Sequence, residues 1–339
     1  MFDFHLHLAR LPHSKQLTQL LLDRNYDFVA IACEPWEWRE VTQLKKEFSS
    51  GLKPVKVAYG IHPMIATQAS SETLTKLRML IEEDKRAMVG EAGIDKRYPG
   101  YDDGTQDKIF LAQAKLALEF KRHLQIHCVG DYMRVLKLLE EAGFKATPNQ
   151  EPSQDATDSS QVKNLQAQNV TRLQEPPRPI FHRFGGDLSV VKKALPYGAL
   201  FSLHADSFRK KSTAAAIPHI PQERVFFETD ADETFMRGNS ATANANNVTQ
   251  SNAKGPVTST ATVDPGTGSG VTNESAENGN NATTNADNVI LNNAKDSETS
   301  PSLDPRPDRG SNDVTPEECV AELEMRLESV RAAYAKCRE

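Results

Sequence analysis

Short, continuous apolar runs alternating with amphipathic segments constrain this chain more than any other feature. Phe28-Val-Ala-Ile-Ala-Cys33 is apolar throughout and too short for a buried helix. It therefore reads as a strand covered on both faces, as in a parallel sheet. The pattern recurs along the chain. A strand over residues 2–7 leads into a helix from Ser14, taken as its cap, through Asp23. There follow a helix from Trp38 to Phe48, a strand from Val55 to Tyr59, a helix from Ser71 to Asp84 and a strand from Ala87 to Glu91. A helix from Thr105 to Lys121, a strand from Leu124 to Cys128, and a helix from Asp131 to Ala142 closed by Gly143 continue it. Further on come a strand from Pro179 to His182, a helix from Leu188 to Ala194, a strand from Ala199 to Leu203, a helical turn from Ser212 to Ala216 and a strand from Arg224 to Glu228.

Eight strand candidates alternating with helices predict an α/β fold closed as a (β/α)8 TIM-like barrel. The alternative is an open doubly wound sheet. Polar residues follow nearly every strand, whereas an open sheet gathers them at one crevice where strand order reverses.

Two tracts stand apart by composition. Residues 147–177 are rich in Gln, Asn, Asp, Ser and Pro, and residues 238–312 in Asn, Ala, Thr, Ser and Gly. Neither contains enough large apolar surface to offset the entropy of ordering, so both read as disordered insertions. The first follows a helix and is expected to leave the barrel on the face opposite the strand ends; the second follows the last strand and is expected beside them. The barrel is thus expected in two parts, residues 1–146 and 178–237, with residues 313–339 as a covering helix. Thr315-Pro316-Glu317-Glu318 opens that helix as a capping box, and Val320, Leu323, Leu327, Val330 and Tyr334 form its apolar stripe. Without the tracts roughly 230 residues remain, close to the ~250 of such a barrel.

A formal charge of −6 excludes the broad basic footprint of a dedicated nucleic-acid binder, so an anionic substrate must be held locally. Cys33, Cys128, Cys319 and Cys337 lie far apart with no paired spacing, which points to a reducing compartment, the cytoplasm. No apolar stretch approaches the length of a membrane span, and no obligate protein partner is implied.

In a barrel of this kind the active site is built at the C-terminal ends of the strands. Those positions hold His5 and His7, His62, Glu91 and Asp95, His127, His182, His204 and Asp230, which includes most of the chain's nine histidines. Period-two alternation puts Asp3, His5 and His7 on one face of the first strand, where a carboxylate could fix an imidazole that ligates a metal. Each residue has a plainer explanation. A strand-end histidine is more often a hydrogen-bonded structural residue, Asp230 could cap a helix, and Glu91 could pair with an arginine. Together they point to a metal centre.

Asp3-x-His-x-His7, Gly60-x-His-Pro63, Gly90-Glu-x-Gly-x-Asp95, Ile126-His127, Phe181-His182 with Phe184-x-Gly186, and Glu228-Thr-Asp230 resemble, in order, the motifs of the TatD-like metal-dependent deoxyribonucleases. The resemblance implies a distorted barrel of the metallo-dependent hydrolase type and two divalent ions, Mg2+, Mn2+ or Zn2+. His5, His7, Glu91 and Asp230 would hold one ion; Glu91, His127 and His182 would hold the other. It implies Asp230 as the group that orients or deprotonates water, and His62 as a substrate contact or proton donor. The implied reaction is 3′–5′ exonucleolytic cleavage of single-stranded DNA or RNA. Departures fall around the substrate: Val129 stands where the family usually carries Arg, Arg183 follows the metal histidine, and His204 replaces a small hydroxyl residue. Arg183 and Arg209, with Lys210 and Lys211, are expected to supply phosphate contacts, and His204 to face the substrate. Two other functions fit the same ligands: an ester or amide hydrolase, such as an aminoacyl-tRNA deacylase, and a non-catalytic metal-binding scaffold.

Overall fold

A computed structural model describes residues 1–49, 54–146, 177–235 and 314–338. The two tracts expected to be disordered, 147–177 and 238–312, lie outside the described residues, Pro177 excepted. Strands β1 (Phe2–Leu6), β2 (Asp27–Ala32), β3 (Lys56–Tyr59), β4 (Met88–Asp95), β5 (Leu124–Val129), β6 (Pro179–Phe181), β7 (Leu200–Leu203) and β8 (Val225–Phe227) form one parallel sheet in the order of the sequence. Helices α1 (Ser14–Asp23), α2 (Pro35–Glu47), α3 (Ser71–Glu83), α4 (Thr105–Glu119), α5 (Tyr132–Ala142), α6 (Leu188–Ala194) and α7 (Lys211–Ala216) alternate with the strands, and α8 (Pro316–Arg338) ends the chain. The expected (β/α)8 barrel is the architecture found.

Closure occurs just beyond β8. Leu6 bridges Ala231, His7 N–H donates to Ala231 O at 2.9 Å, and Asp230 N–H donates to His5 O at 3.0 Å. Below this seam the Phe4 and Phe226 rings stack with centroids 4.0 Å apart. Phe2, Phe4, Val29, Ile31, Cys33, Ala58, Met88, Ile180, Leu200 and Phe226 form the buried cluster that fills the barrel, while the larger apolar cluster lies between sheet and helices. Following the inward phase up each strand in steps of two leads from Ile31 to Cys33, from Ala58 through Gly60 to His62, and from Gln125 to His127 and Val129. The same steps lead from Ile180 to His182, from Leu200 to His204, and from Phe226 through Glu228 to Asp230.

Strands β1 and β4 break this period. Register shifts fall between Asp3 and Leu6 and between Val89 and Ala92, each inserting one residue against its neighbour. Phe4 therefore packs inside the barrel while the adjacent His5 enters the site above it. Asp3 is taken off the face shared by His5 and His7, which corrects the expectation from strict alternation. Its carboxylate instead staples the seam, with Oδ1 accepting from Thr229 N–H at 3.0 Å and His5 N–H at 3.3 Å, and Oδ2 from the Thr229 hydroxyl at 2.6 Å. In β4, Gly93 lies so close to β5 that an added Cβ would sit 1.8 Å from His127 O. Gly90, at φ +131, would bring one within 2.5 Å of Gln125 O. Both glycines let β4 and β5 approach where Glu91 and His127 must meet.

Two helix starts differ from expectation. Helix α2 begins at Pro35, three residues before Trp38, because proline suits the first helical turn. The Trp38 indole N–H is turned back to Ala32 O and Gly60 O. Ser14 is buried inside α1 and is not its cap; left-handed His13 precedes the helix. Strand β4 also runs past Glu91 to Asp95. In α8, Glu318 N–H donates to Thr315 Oγ1 at 3.2 Å and Thr315 N–H to Glu318 Oε2 at 2.8 Å, completing the box. Its stripe from Val320 to Tyr334 is buried, and the Tyr334 ring meets Phe227 edge-on at 5.3 Å.

Replacing Asp3 with alanine is expected to destabilise the fold by about 2–3 kcal/mol, because buried donors on Thr229 and His5 lose their acceptor. Urea unfolding would read this as a lower midpoint. An unchanged midpoint would show that backbone bridging and the Phe4–Phe226 stack hold the seam unaided.

Candidate metal centre

The inward phase brings His5, His7, His62, Glu91, His127, His182 and Asp230 to one end of the barrel, with Cys33 beside them. His5, Glu91 and His182 are almost wholly buried. Glu91 stands at the middle. His5 Nε2 lies 3.2 Å from Glu91 Oε2 and 3.6 Å from Asp230 Oδ1, and His7 Nε2 lies 3.5 Å from each of the same two oxygens. Ligands about 2.0–2.2 Å from a cation in a tetrahedron stand about 3.3–3.6 Å apart, so this set fits one ion. On the other side, Glu91 Oε1 lies 2.6 Å from His127 Nδ1 and 2.7 Å from His182 Nε2, and those nitrogens are 3.2 Å apart. The second set is tighter: its donors stand at hydrogen-bonding separations and would have to open by several tenths of an ångström to reach the spacing of the first.

Three of the four imidazoles, His5, His127 and His182, are oriented from behind, as ligating histidines require. His5 Nδ1 meets Gln125 Oε1 at 3.3 Å, and the Gln125 amide donates to Phe4 O at 3.3 Å. His127 Nε2 meets Asp95 Oδ2 at 2.9 Å, and Arg97 Nη2 donates to the same oxygen at 2.6 Å. His182 Nδ1 lies 3.4 Å from Glu228 Oε1, which also accepts the Arg183 N–H. The Cys33 thiol donates to Glu91 Oε2 at 3.4 Å, while Cys33 N–H donates to Glu37 Oε2 at 2.6 Å.

The electrostatics follow from packing acids and imidazoles together out of water. Burial pushes the Glu91 carboxyl upward, but the surrounding imidazoles, His182 foremost, outweigh it and hold Glu91 well below the usual carboxylate range. Asp230 is held low in the same way, against its burial, chiefly by His7. Burial pulls His7 and His127 down, yet both stand above the usual imidazole value, His7 because of Asp230 and His127 because of Asp95 and Glu91. His62 goes the other way: burial and then the neighbouring His127 push it well below that value. Its Nδ1 accepts Met64 N–H at 3.1 Å, so the ring proton sits on Nε2, facing His127 Nδ1 at 3.3 Å and Glu91 Oε1 at 3.6 Å. A protonated Nε2 donates and does not ligate, although distance alone would put His62 in the second set.

The residues expected to touch substrate divide. Arg183 lines the cavity, but its guanidinium is shared between carboxylates: Nη1 donates to Asp230 Oδ2 at 2.7 Å, and Nε and Nη2 grip Asp206. Arg209 is exposed, turned away from the cavity and paired with Asp206 at 2.7 Å. His204 does not line the cavity either; its Nδ1 accepts Asp206 N–H at 3.1 Å and caps the turn after β7. Both corrections trace to Asp206, which follows β7 and gathers the nearby cations. Sequence reasoning also passed over Cys33 and Gln125. Period-two stepping from Ile31 and from His127 would have found them, since each lies in its strand's inward phase. The cavity above the centre has a volume of 1060 Å3.

Comparison with known proteins matches this sequence to a family. The family described as TatD related DNase matches residues 2–254. The "3'-5' ssDNA/RNA exonuclease TatD" of Cronobacter sakazakii is 24% identical over 181 residues, covering 52% of this chain and 57% of the relative. The protein of the same name from Erwinia tasmaniensis is 25% identical over 175 residues, covering 51% and 56%. The chain thus spans about half the length of the curated relatives it matches. Two crystal structures share the fold. YJJV, a TatD homolog from Escherichia coli K12, aligns with a TM-score of 0.50 at 19% identity over 68% of this chain and 79% of that one. A TatD family hydrolase from Entamoeba histolytica aligns with a TM-score of 0.50 at 16% identity over 68% and 73%. With its eight-stranded barrel, its buried acid and histidine sets and a family match over most of its length, the chain belongs to the TatD-related DNase family.

Proposed function

We propose that this protein is a metal-dependent phosphodiesterase acting as a 3′–5′ exonuclease on single-stranded DNA or RNA. Glu91 carries the reading. Its Oε2 faces His5 and His7 while its Oε1 faces His127 and His182, so one buried carboxylate serves two sets of donors. On this reading His5, His7, Glu91 and Asp230 hold one divalent ion, Glu91, His127 and His182 hold a second, and the metal is Mg2+, Mn2+ or Zn2+. Such a pair, when bound, supplies Lewis acidity and positive charge to an in-line displacement at phosphorus. The name of the curated relatives supports the nucleic-acid substrate.

The chain's own groups serve the attacking water and the leaving oxygen. Asp230 Oδ1 is turned toward His5 and His7, where it would hold the ion, and Oδ2, hydrogen-bonded by Arg183, is the oxygen left to orient the attacking water and take its proton. His62, neutral and carrying its hydrogen on Nε2, gives a hydrogen bond to the leaving oxygen, which takes its proton from solvent. The barrel spans residues 1–146 and 178–237 on this reading, with 313–339 as its cover. Four unpaired cysteines support a reducing compartment, which we take to be the cytoplasm. Among the described residues no helix is long and apolar enough to cross a membrane.

The full chain incubated with Mg2+, Mn2+ or Zn2+ and labelled single- and double-stranded DNA, RNA and aminoacyl-tRNA is expected to degrade single strands from the 3′ end. Glu91→Ala is expected to abolish this, and Asp230→Asn to slow it by about 10²–10⁴. Turnover of the aminoacyl ester alone would move the reading to the deacylase class, and no Glu91-dependent turnover at all would leave only the scaffold.

Metal uptake carries its own pH signature. His7 and His127 sit above the usual imidazole value, so the metal-free centre retains protons that a cation must displace. Affinity for Zn2+ or Mn2+ is expected to keep rising with pH above the ordinary imidazole range, with proton release, as calorimetry in buffers of different ionisation heat would show. Affinity independent of pH would contradict imidazole ligation.

A further inference from the structure

Five long cationic side chains line the cavity: Arg10, Lys96, Arg97, Arg183 and Lys210. Three are already matched by acids. Arg10 donates to Glu37 at 2.6 Å and Glu34 at 2.7 Å, Arg97 to Asp95 at 2.6 Å, and Arg183 to Asp206 and Asp230. Lys96 and Lys210 have no carboxylate partner among the described residues; Lys210 Nζ reaches only Gly185 O, at 3.2 Å.

Lys96 is nonetheless held in place. Its N–H donates to Val129 O at 3.0 Å, and its stem lies on Gly130, where an added Cβ would meet Lys96 Cδ at 3.3 Å and Cγ at 3.4 Å. A shelf free of any side chain thus carries the aliphatic stem and leaves the ammonium at the rim. The two lysines flank the centre. Lys96 follows β4 and lies against the end of β5, and Lys210 follows β7 and reaches the loop after β6, so His127 and His182 lie between them in strand order. Tyr98, whose ring meets His62 edge-on at 5.9 Å, also lines the cavity on the Lys96 side and offers a stacking face.

We infer that Lys96 and Lys210 contact the phosphates on either side of the scissile one, so that the substrate is a polyanionic strand several nucleotides long and not an isolated phosphodiester or acyl ester. The inference rests on the proposed nuclease reading and deepens it. Lysine suits the role because it meets phosphate as a point charge without a fixed approach geometry. Among the described residues that line the cavity, Val129 and the acid-paired arginines leave these two as the cations without a carboxylate partner.

The test is binding of a fluorescent phosphorothioate single strand to the full chain, by anisotropy across a salt series. Lys96→Ala and Lys210→Ala are each expected to flatten the slope of log affinity against log salt by about 0.7. Lys96→Arg should restore the wild-type slope, and Lys76→Ala, on exposed α3, should leave it unchanged. In turnover, both alanine variants are expected to raise KM for long strands and to leave bis(p-nitrophenyl) phosphate hydrolysis unaltered. Wild-type slopes in both variants, or equal losses on the small ester, would overturn the inference while Glu91-dependent turnover still stood. Loss of that turnover with the slopes altered as expected would instead sink the nuclease reading.

Discussion

A carboxylate taken out of water must find compensating charge, and Glu91 finds it on both of its oxygens. The rest of the structure serves that meeting. Strand β1 brings His5 and His7 to Oε2, β5 and β6 bring His127 and His182 to Oε1, and the residues past β8 add Asp230 opposite the first pair. Glycines at 90 and 93 carry β4 close enough to β5 for Glu91 and His127 to stand 2.6 Å apart. Without them β4 and β5 would be pushed apart at the one place where the two sets share an atom group.

Around that meeting runs a ring of supports that do no chemistry themselves. Gln125, Asp95 and Glu228 each engage the far side of one imidazole, and Arg97 in turn engages Asp95. Such backing sets ring orientation and makes the facing nitrogen a better donor. Asp206 plays a comparable part at the rim. By collecting Arg183, Arg209 and the His204 turn, it fixes which cations are engaged and which stay open to solvent.

Much of this was legible from the amino acids. The unbroken run at Phe28–Cys33 and its successors announce a parallel barrel, and polar residues at strand ends mark where it opens, because both follow from the two-residue period and the burial of both strand faces. What escaped were departures from the period. The extra residue between Asp3 and Leu6 separates Asp3 from the histidines, and no composition signal marks it, since Phe4 and His5 look like ordinary alternation. Arg183, Arg209 and His204 were legible as polar but not as engaged. Their partner Asp206 lies nearby in sequence, yet the pairing depends on a left-handed backbone at Arg183 and a short turn after β7. The shelf under Lys96 was hidden for a related reason, as it is defined by the side chain that residue 130 lacks.

The seam has a temporal meaning as well. Asp3 grips Thr229 across 226 positions of sequence, and His5 and His7 are tied by main-chain bonds to residues 230 and 231. A ribosome that has delivered β1 through β7 has therefore produced most of the imidazoles but nothing to shut the ring beside the first two. Loop closure over so long a span comes late and slowly. The nascent protein thus has to carry an open sheet edge until its last strand emerges.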